Sequence, residues 1–253
     1  MTGAEHHWIH GVFDVFVALH ITTGAPGLLM FWAPVFLRKG SSAHVLWGRR
    51  FTVAMLATAT SAAIMASLTL SAPMATHPQL IGHPEFGNPE AVRAIFGWMM
   101  LYLAILTINL AWYGWRAVRS KRDHRKNMEP MNAALQGVLL GASIVCFGHG
   151  LFAGQPMMMG ISIVGFATVG TNLAFLLKAA PGPVDWLREH VKAHVGTGIS
   201  VYTAFFAFGA VRLAPELALT PALWAAPLVV GLGLILWHWR KLSRPARRRA
   251  ATA

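Results

Sequence analysis

Apolar residues run along this chain in long blocks, and the polar residues between them form short connections. A bilayer core needs about 20 largely apolar residues for each helical crossing. Seven blocks meet that length, at roughly 9–36, 46–72, 93–116, 130–151, 157–178, 193–214 and 219–239. The pattern predicts an all-α protein, an integral membrane bundle of seven transmembrane helices forming a single domain over 1–253. Pro26, inside "TTGAPG" of the first block, removes a backbone hydrogen bond and predicts a kink, with Thr22 or Thr23 as the partner for the freed carbonyl. The long connection 71–93 carries four prolines and two histidines and predicts an ordered cap outside the membrane. "PGPVDWLREHVKAH" (181–194) predicts a helix on the membrane surface, with Trp186, Leu187 and Val191 at the interface and Arg188, Glu189 and Lys192 facing water.

Composition agrees with a membrane protein: 55% of the 253 residues are hydrophobic and only 12% are charged. The net charge of +12 raises nucleic acid as a partner, so the position of the cations decides the matter. They gather in alternate connections: Arg38, Lys39, Arg49 and Arg50 at the first, Arg116 to Lys126 at the third, Lys178, Arg188 and Lys192 at the fifth, and Arg240 to Arg249 after the last block. The intervening connections carry little beyond Arg93 and Arg212. This positive-inside alternation predicts the N-terminus outside and the C-terminus in the cytoplasm of a bacterial plasma membrane. It also excludes nucleic acid as a partner, because no single basic face is formed. "MTGAEHHWIHG" has no basic leader, so the first block is expected to be retained rather than cleaved. "SAAIMAS" (61–67) and "GVLLGAS" (137–143) have the small-residue spacing of close helix contacts. Trp98, Trp112, Trp115, Trp224, Trp237 and Trp239 suit an interfacial belt. The lone Cys146 excludes a disulfide framework.

The chemistry on offer is mostly imidazole. Twelve histidines stand against nine carboxylates, and imidazole ligates metals and haem iron, relays protons, or bonds a neighbouring helix. His20 lies nine positions beyond Gly11, roughly 13 Å along a helix and well inside the bilayer. His149 is flanked by Gly148 and Gly150, which leave room for a planar group or for another helix. His190 and His194 share one helical face, with His44 as a candidate third inner histidine and Arg49 and Arg50 placed for a propionate or phosphate. At the outer end His7, His10 and Asp14 fall on one face, a candidate Zn²⁺ or Cu²⁺ site that His77 or His83 would close. No Gly-rich phosphate loop, G-x-S-x-G or H-E-x-x-H occurs. The last block lacks a lysine, which rules out a retinal Schiff base there. Asp14 is the carboxylate nearest to the membrane interior, an argument against a carboxylate-driven antiporter.

"LHITTGAPGLL" followed by His44-x-x-Trp47-Gly48-Arg49 resembles a bacterial family of predicted multi-pass membrane proteins of unknown function, in which a helix with an early histidine leads to a cationic H-x-x-x-G-R turn and a second helix. "REHVKAHVGTGISVYTAFFAFG" is similar to a segment in relatives of that group. The resemblance supplies no catalytic assignment, and it implies only that His20, His44 and His194 are candidates to be taken together. The sequence therefore leads to haem b held by His20 with His149 and by His44 with His194, with Arg49 on a propionate, and to electron transfer with a quinone or redox protein as partner. A seven-helix metal-dependent hydrolase and a cofactor-free transporter or pH-responsive module are the alternatives, so enzymatic activity stays open.

Overall fold

The structure is a computed structural model that describes residues 3–84, 86–121, 123–209 and 221–250, with side chains for all of these except 3–7, 221, 224 and 244–250. Every regular element among the described residues is helical. In chain order they are α1 (Gly3–Phe36), α2 (Ser42–Ser71), α3 (Pro73–Thr76), α4 (Pro89–Val92), α5 (Met100–Ser120), α6 (Pro130–Phe152), α7 (Pro156–Leu176), α8 (Asp185–Ala204) and α9 (Pro221–Ala250). Helix α4 runs into α5 through a wider π-type stretch, Arg93–Met99. Five helical segments are long and apolar enough to cross a bilayer: Trp8–Phe36, Ser42–Ser71, Pro89–Ser120, Pro130–Phe152 and Pro156–Leu176. They match the first five apolar blocks, as a multi-pass membrane protein requires. Positions 210–214 of the sixth block and 219–220 of the seventh lie outside the described residues, as does Arg212.

Local signals explain the helix ends. Ser41 caps α2, its Oγ accepting the His44 N–H at 3.2 Å. Asn88 caps α4 through Ala91 N–H at 2.9 Å, with Pro89 in the first turn, where its missing N–H costs nothing. After α1 the chain turns at Gly40, φ +79°, a left-handed conformation that favours glycine. The connection 72–88 is ordered by α3, a 3₁₀ turn at Pro78–Leu80 and Gly82 at φ +80°.

Two compact units divide the chain: 1–109 with 134–171, and 110–133 with 172–253. In the first, α1 lies along α2 so closely that a Cβ on Gly27 would collide with the Met55 side chain. Tyr102 Oη donates to Ile161 O at 2.6 Å and Asn109 Nδ2 to Leu135 O at 3.0 Å, tying α5 to α7 and to α6. In the second, Gly114 of α5 faces Ala193 of α8 at 3.0 Å, and Trp239 Nε1 of α9 donates to Arg188 O at 3.2 Å.

Three expectations change. Thr22 and Thr23 bond back to the Ala18, Leu19 and His20 carbonyls, one turn before the carbonyl that Pro26 frees, and α1 continues through Pro26 and Pro34. Gly137 and Gly141 face open space, so the 137–143 stripe makes no close contact through its glycines. The surface helix expected over 185–194 is instead the first half of α8, continuous with the sixth apolar block, and this rotates Glu189 and Lys192 away from water.

Candidate functional site

Four of the described histidines, His20, His44, His124 and His190, bond to backbone carbonyls of other helices. His20 Nδ1 lies 3.0 Å from Thr58 O on α2. Ser61 Oγ reaches the same carbonyl at 2.8 Å, and Thr23 and Thr58 share a hydroxyl hydrogen bond at 2.8 Å, so a small polar knot sits between two apolar helices. His44 Nδ1 lies 3.1 Å from Pro34 O, and Lys39 Nζ reaches Pro34 O at 2.7 Å and Val35 O at 2.6 Å. The last carbonyls of α1 have no partner within the helix. His44 and Lys39 supply those partners, a local reason for an imidazole and a cation in this turn beyond the topology signal. His124 Nε2 makes the equivalent bond to Leu176 O, at the end of α7, at 3.0 Å. Because a carbonyl only accepts, His20 and His44 carry hydrogen on Nδ1, and in the neutral ring Nε2 keeps the lone pair.

The other imidazole expectations fare differently. His149 stacks on Trp98, ring centroids 5.1 Å apart and 20° between planes. The space beside Gly150 is taken by Met158 and Met159 of α7, at 2.9–3.0 Å from a Cβ placed there, so this glycine serves helix packing. Gly148 has nothing within 4 Å. Arg49 is exposed, and Arg50 lies over the Trp47 ring at 5.0 Å. Near the N-terminal end of α1, His10 Nε2 is 3.5 Å from Asp14 Oδ2. The His7 side chain lies outside the described residues. His77 packs between Phe13 and Phe96, and His83 Nδ1 accepts the Phe86 N–H. Among the described residues no three His, Cys, Asp or Glu side chains converge as a metal site. His20, His44 and His149 belong to the first unit and His194 to the second.

A different cluster, which the hydrophobic pattern did not single out, stands between α5 and α8 in the second unit. Tyr113 is 2% exposed and donates its phenol hydrogen to Glu189 Oε2 at 2.7 Å. Lys192 forms an ion pair with the same oxygen, with Glu189 and Lys192 side chains only 13% and 14% exposed. The ammonium also lies 5.5 Å from the centre of the Tyr113 ring. On the same stretch of α8, His190 Nδ1 donates to Gly114 O at 3.1 Å, and the rings of His190 and His194 are 5.8 Å apart. Five titratable side chains thus occupy two facing helix turns. Gly114 makes this approach geometrically open, since Ala193 fills the space where its side chain would be.

A signal for this site exists in the sequence. Glu189, Ala193, Gly196, Thr197 and Ser200 follow one another at helical spacing, and four of these five are small. Small residues mark the face of a membrane helix that meets another helix. Ala193, Thr197 and Ser200 are buried, and Glu189 stands at the head of that stripe. Comparison with protein-family models, with curated proteins and with solved structures finds no match to this chain.

Proposed function

We propose that this chain is a proton-responsive multi-pass module of the bacterial plasma membrane, with seven spans, the N-terminus outside and the C-terminus in the cytoplasm. The Tyr113–Glu189–Lys192 cluster is its titrating centre. The observation that carries the reading is one carboxylate oxygen shared by a buried phenol and an ammonium, with the two charged side chains only 13% and 14% exposed. Buried ion pairs are weak sources of stability, because desolvation offsets their attraction. Ionisable groups within a membrane bundle are functional candidates for the same reason. Adding a proton to Glu189 neutralises the partner of Lys192 and turns the Tyr113 acceptor into a potential donor, so helices α5 and α8 must rearrange their contact. His190 and His194 stand on the same helix face, their ring centroids 5.8 Å apart. Transport or sensing coupled to protons is the class of activity that follows.

Trp112 and Trp115 flank Tyr113 and serve as reporters. Their emission in the purified protein should differ between acid and neutral pH, and Glu189→Gln should flatten that difference. An identical curve in Glu189→Gln and in Tyr113→Phe would remove the cluster from the role. Topology is tested separately: reporter fusions after Lys126 and Arg249 should read cytoplasmic and one near Gly82 external.

A second reading, haem b binding with electron transfer to a quinone or redox protein, draws on His20 and His44. Histidines that ligate a metal usually give their other N–H to a carbonyl, as both do here. The nitrogen chemistry fits haem iron, with His149 as the ligand opposing His20, and Arg49 for a propionate. The group, when bound, would supply a one-electron couple; the chain would supply axial nitrogens of fixed tautomer. Purified protein produced with ample haem should then show a reduced b-type spectrum that weakens in His20→Ala, and a colourless protein would end this reading.

A further inference from the structure

A cavity of about 320 Å³ opens in the second unit, between the turn that follows α5 and the segment that leads into α8. Its walls are Lys121, His124, Phe175, Pro181, Pro183 and Trp186. Two aromatic faces and two prolines make the sides apolar and stiff, while an ammonium and an imidazole provide the polar contacts. Its volume lies at the small end of ligand sites, enough for a headgroup-sized molecule.

Two features suit this cavity to a ligand. His124 has its Nε2 hydrogen committed to Leu176 O at 3.0 Å and its ring set edge-on to Phe175, which fixes the imidazole. Its Nδ1 is buried and has no hydrogen-bond partner among the described residues. With Nε2 protonated, neutral His124 presents Nδ1 as an acceptor that asks for a hydroxyl or amide donor. The second feature is Lys121, the residue directly after α5, which has φ +50°. It is the only non-glycine residue with positive φ among those described. A helix end of this kind favours glycine, so a lysine here stands against backbone preference, and the backbone strain points to a use for the ammonium. The nearby carboxylate does not oppose an anion. Asp185 is already held by Lys178 at 2.6 Å, by Gly182 N–H at 2.8 Å and by Arg188 at 3.7 Å. Asp123 is likewise paired with Lys126 at 2.8 Å.

A ligand that satisfies both polar groups carries an anionic oxygen for Lys121 and a hydroxyl hydrogen for His124, at the headgroup level of a membrane. We propose that this cavity binds a polyol phosphate, supplied as the headgroup of an anionic glycerophospholipid. The stretches that line it lie in two connections whose Lys and Arg content marks them as cytoplasmic, the leaflet where basic pockets meet anionic headgroups.

The test uses full-length protein in neutral detergent, titrated with short-chain phosphatidylglycerol, short-chain phosphatidylcholine and glycerol phosphate, with bound ligand counted by native mass spectrometry. Phosphatidylglycerol should bind at least about tenfold more tightly than phosphatidylcholine, a difference of about 1.4 kcal/mol. Lys121→Gly relieves the backbone and leaves the fold intact, so it should lose that preference while melting no lower than the parent. His124→Phe should weaken phosphatidylglycerol binding without restoring phosphatidylcholine. Weak binding of glycerol phosphate assigns the lipid as the source, and binding as tight as that of the lipid assigns the free polyol phosphate to the same site. Equal affinity for the two lipids, or a preference that survives Lys121→Gly, overturns the proposal.

Discussion

The polar knot around His20 and the cluster around Glu189 both place hydrogen-bonding groups between apolar helices, yet they differ in kind. At His20 every contact is between neutral groups: an imidazole and a serine on the Thr58 carbonyl, with two threonine hydroxyls beside them. Such contacts hold helices in register at about 0.6–2 kcal/mol each and ask nothing of the surrounding pH while the ring stays neutral. At Glu189 the contacts are between charges and a phenol, and the arrangement is correct for only one state of protonation. Burial magnifies the penalty for any other state. The comparison teaches that the number of histidines in a membrane chain is a poor guide to where protons act. What matters is whether the partner is a carbonyl, which has no charge to lose, or a carboxylate, which does.

The largest effect should come from breaking the charged cluster unevenly. Lys192→Met leaves Glu189 buried without its ammonium and should cost about 3–5 kcal/mol in stability. The double variant Glu189→Gln with Lys192→Met removes both charges and should recover most of that loss. Unfolding in detergent checks the pair; equal losses in single and double variants would show that packing, not charge, holds α5 to α8. At the neutral knot, His20→Ala should cost about 1 kcal/mol, the scale of one interhelical hydrogen bond, with no change in the pH dependence of melting. A loss as large as that of Lys192→Met would erase the contrast between the two regions.

Acid should separate the second unit further. Burial alone would raise the Asp185 carboxyl, but the Lys178 ammonium, the Gly182 N–H and Arg188 outweigh it and hold the group below its ordinary value of 3.8. A carboxyl depressed in the folded state stabilises it above the unfolded value, and that contribution disappears as pH falls through the folded value. Asp185→Asn should therefore lower melting at neutral pH and flatten the acid limb below 3.8. Smallest of all, Lys121→Gly should raise stability by about 0.5–1 kcal/mol by relieving a left-handed lysine.

Much of the architecture was legible because the bilayer demands length and apolarity, and five blocks became helices within a few residues of their expected ends. The roles of side chains were harder. His20 was legible as a buried polar residue, but nothing in one helix says that its partner is the Thr58 carbonyl on the next. Glu189 and Lys192 read as water-facing because an isolated helix over 185–194 can place its tryptophan at the interface. Joined to the next apolar block, the same helix turns its small-residue stripe, with Glu189 at the head, onto Tyr113. The competing signals were the charge of single residues and the spacing of small ones, and packing followed the spacing.

The central claim is that Glu189 changes protonation inside the bundle, and infrared difference spectroscopy of the purified protein between acid and neutral pH reads that change directly. The parent should gain a protonated-carboxyl band on acidification, absent in Glu189→Gln and displaced in Tyr113→Phe, where the phenol hydrogen bond is lost. A band that is unchanged in Glu189→Gln would contradict the account, because the proton would then be taken up elsewhere.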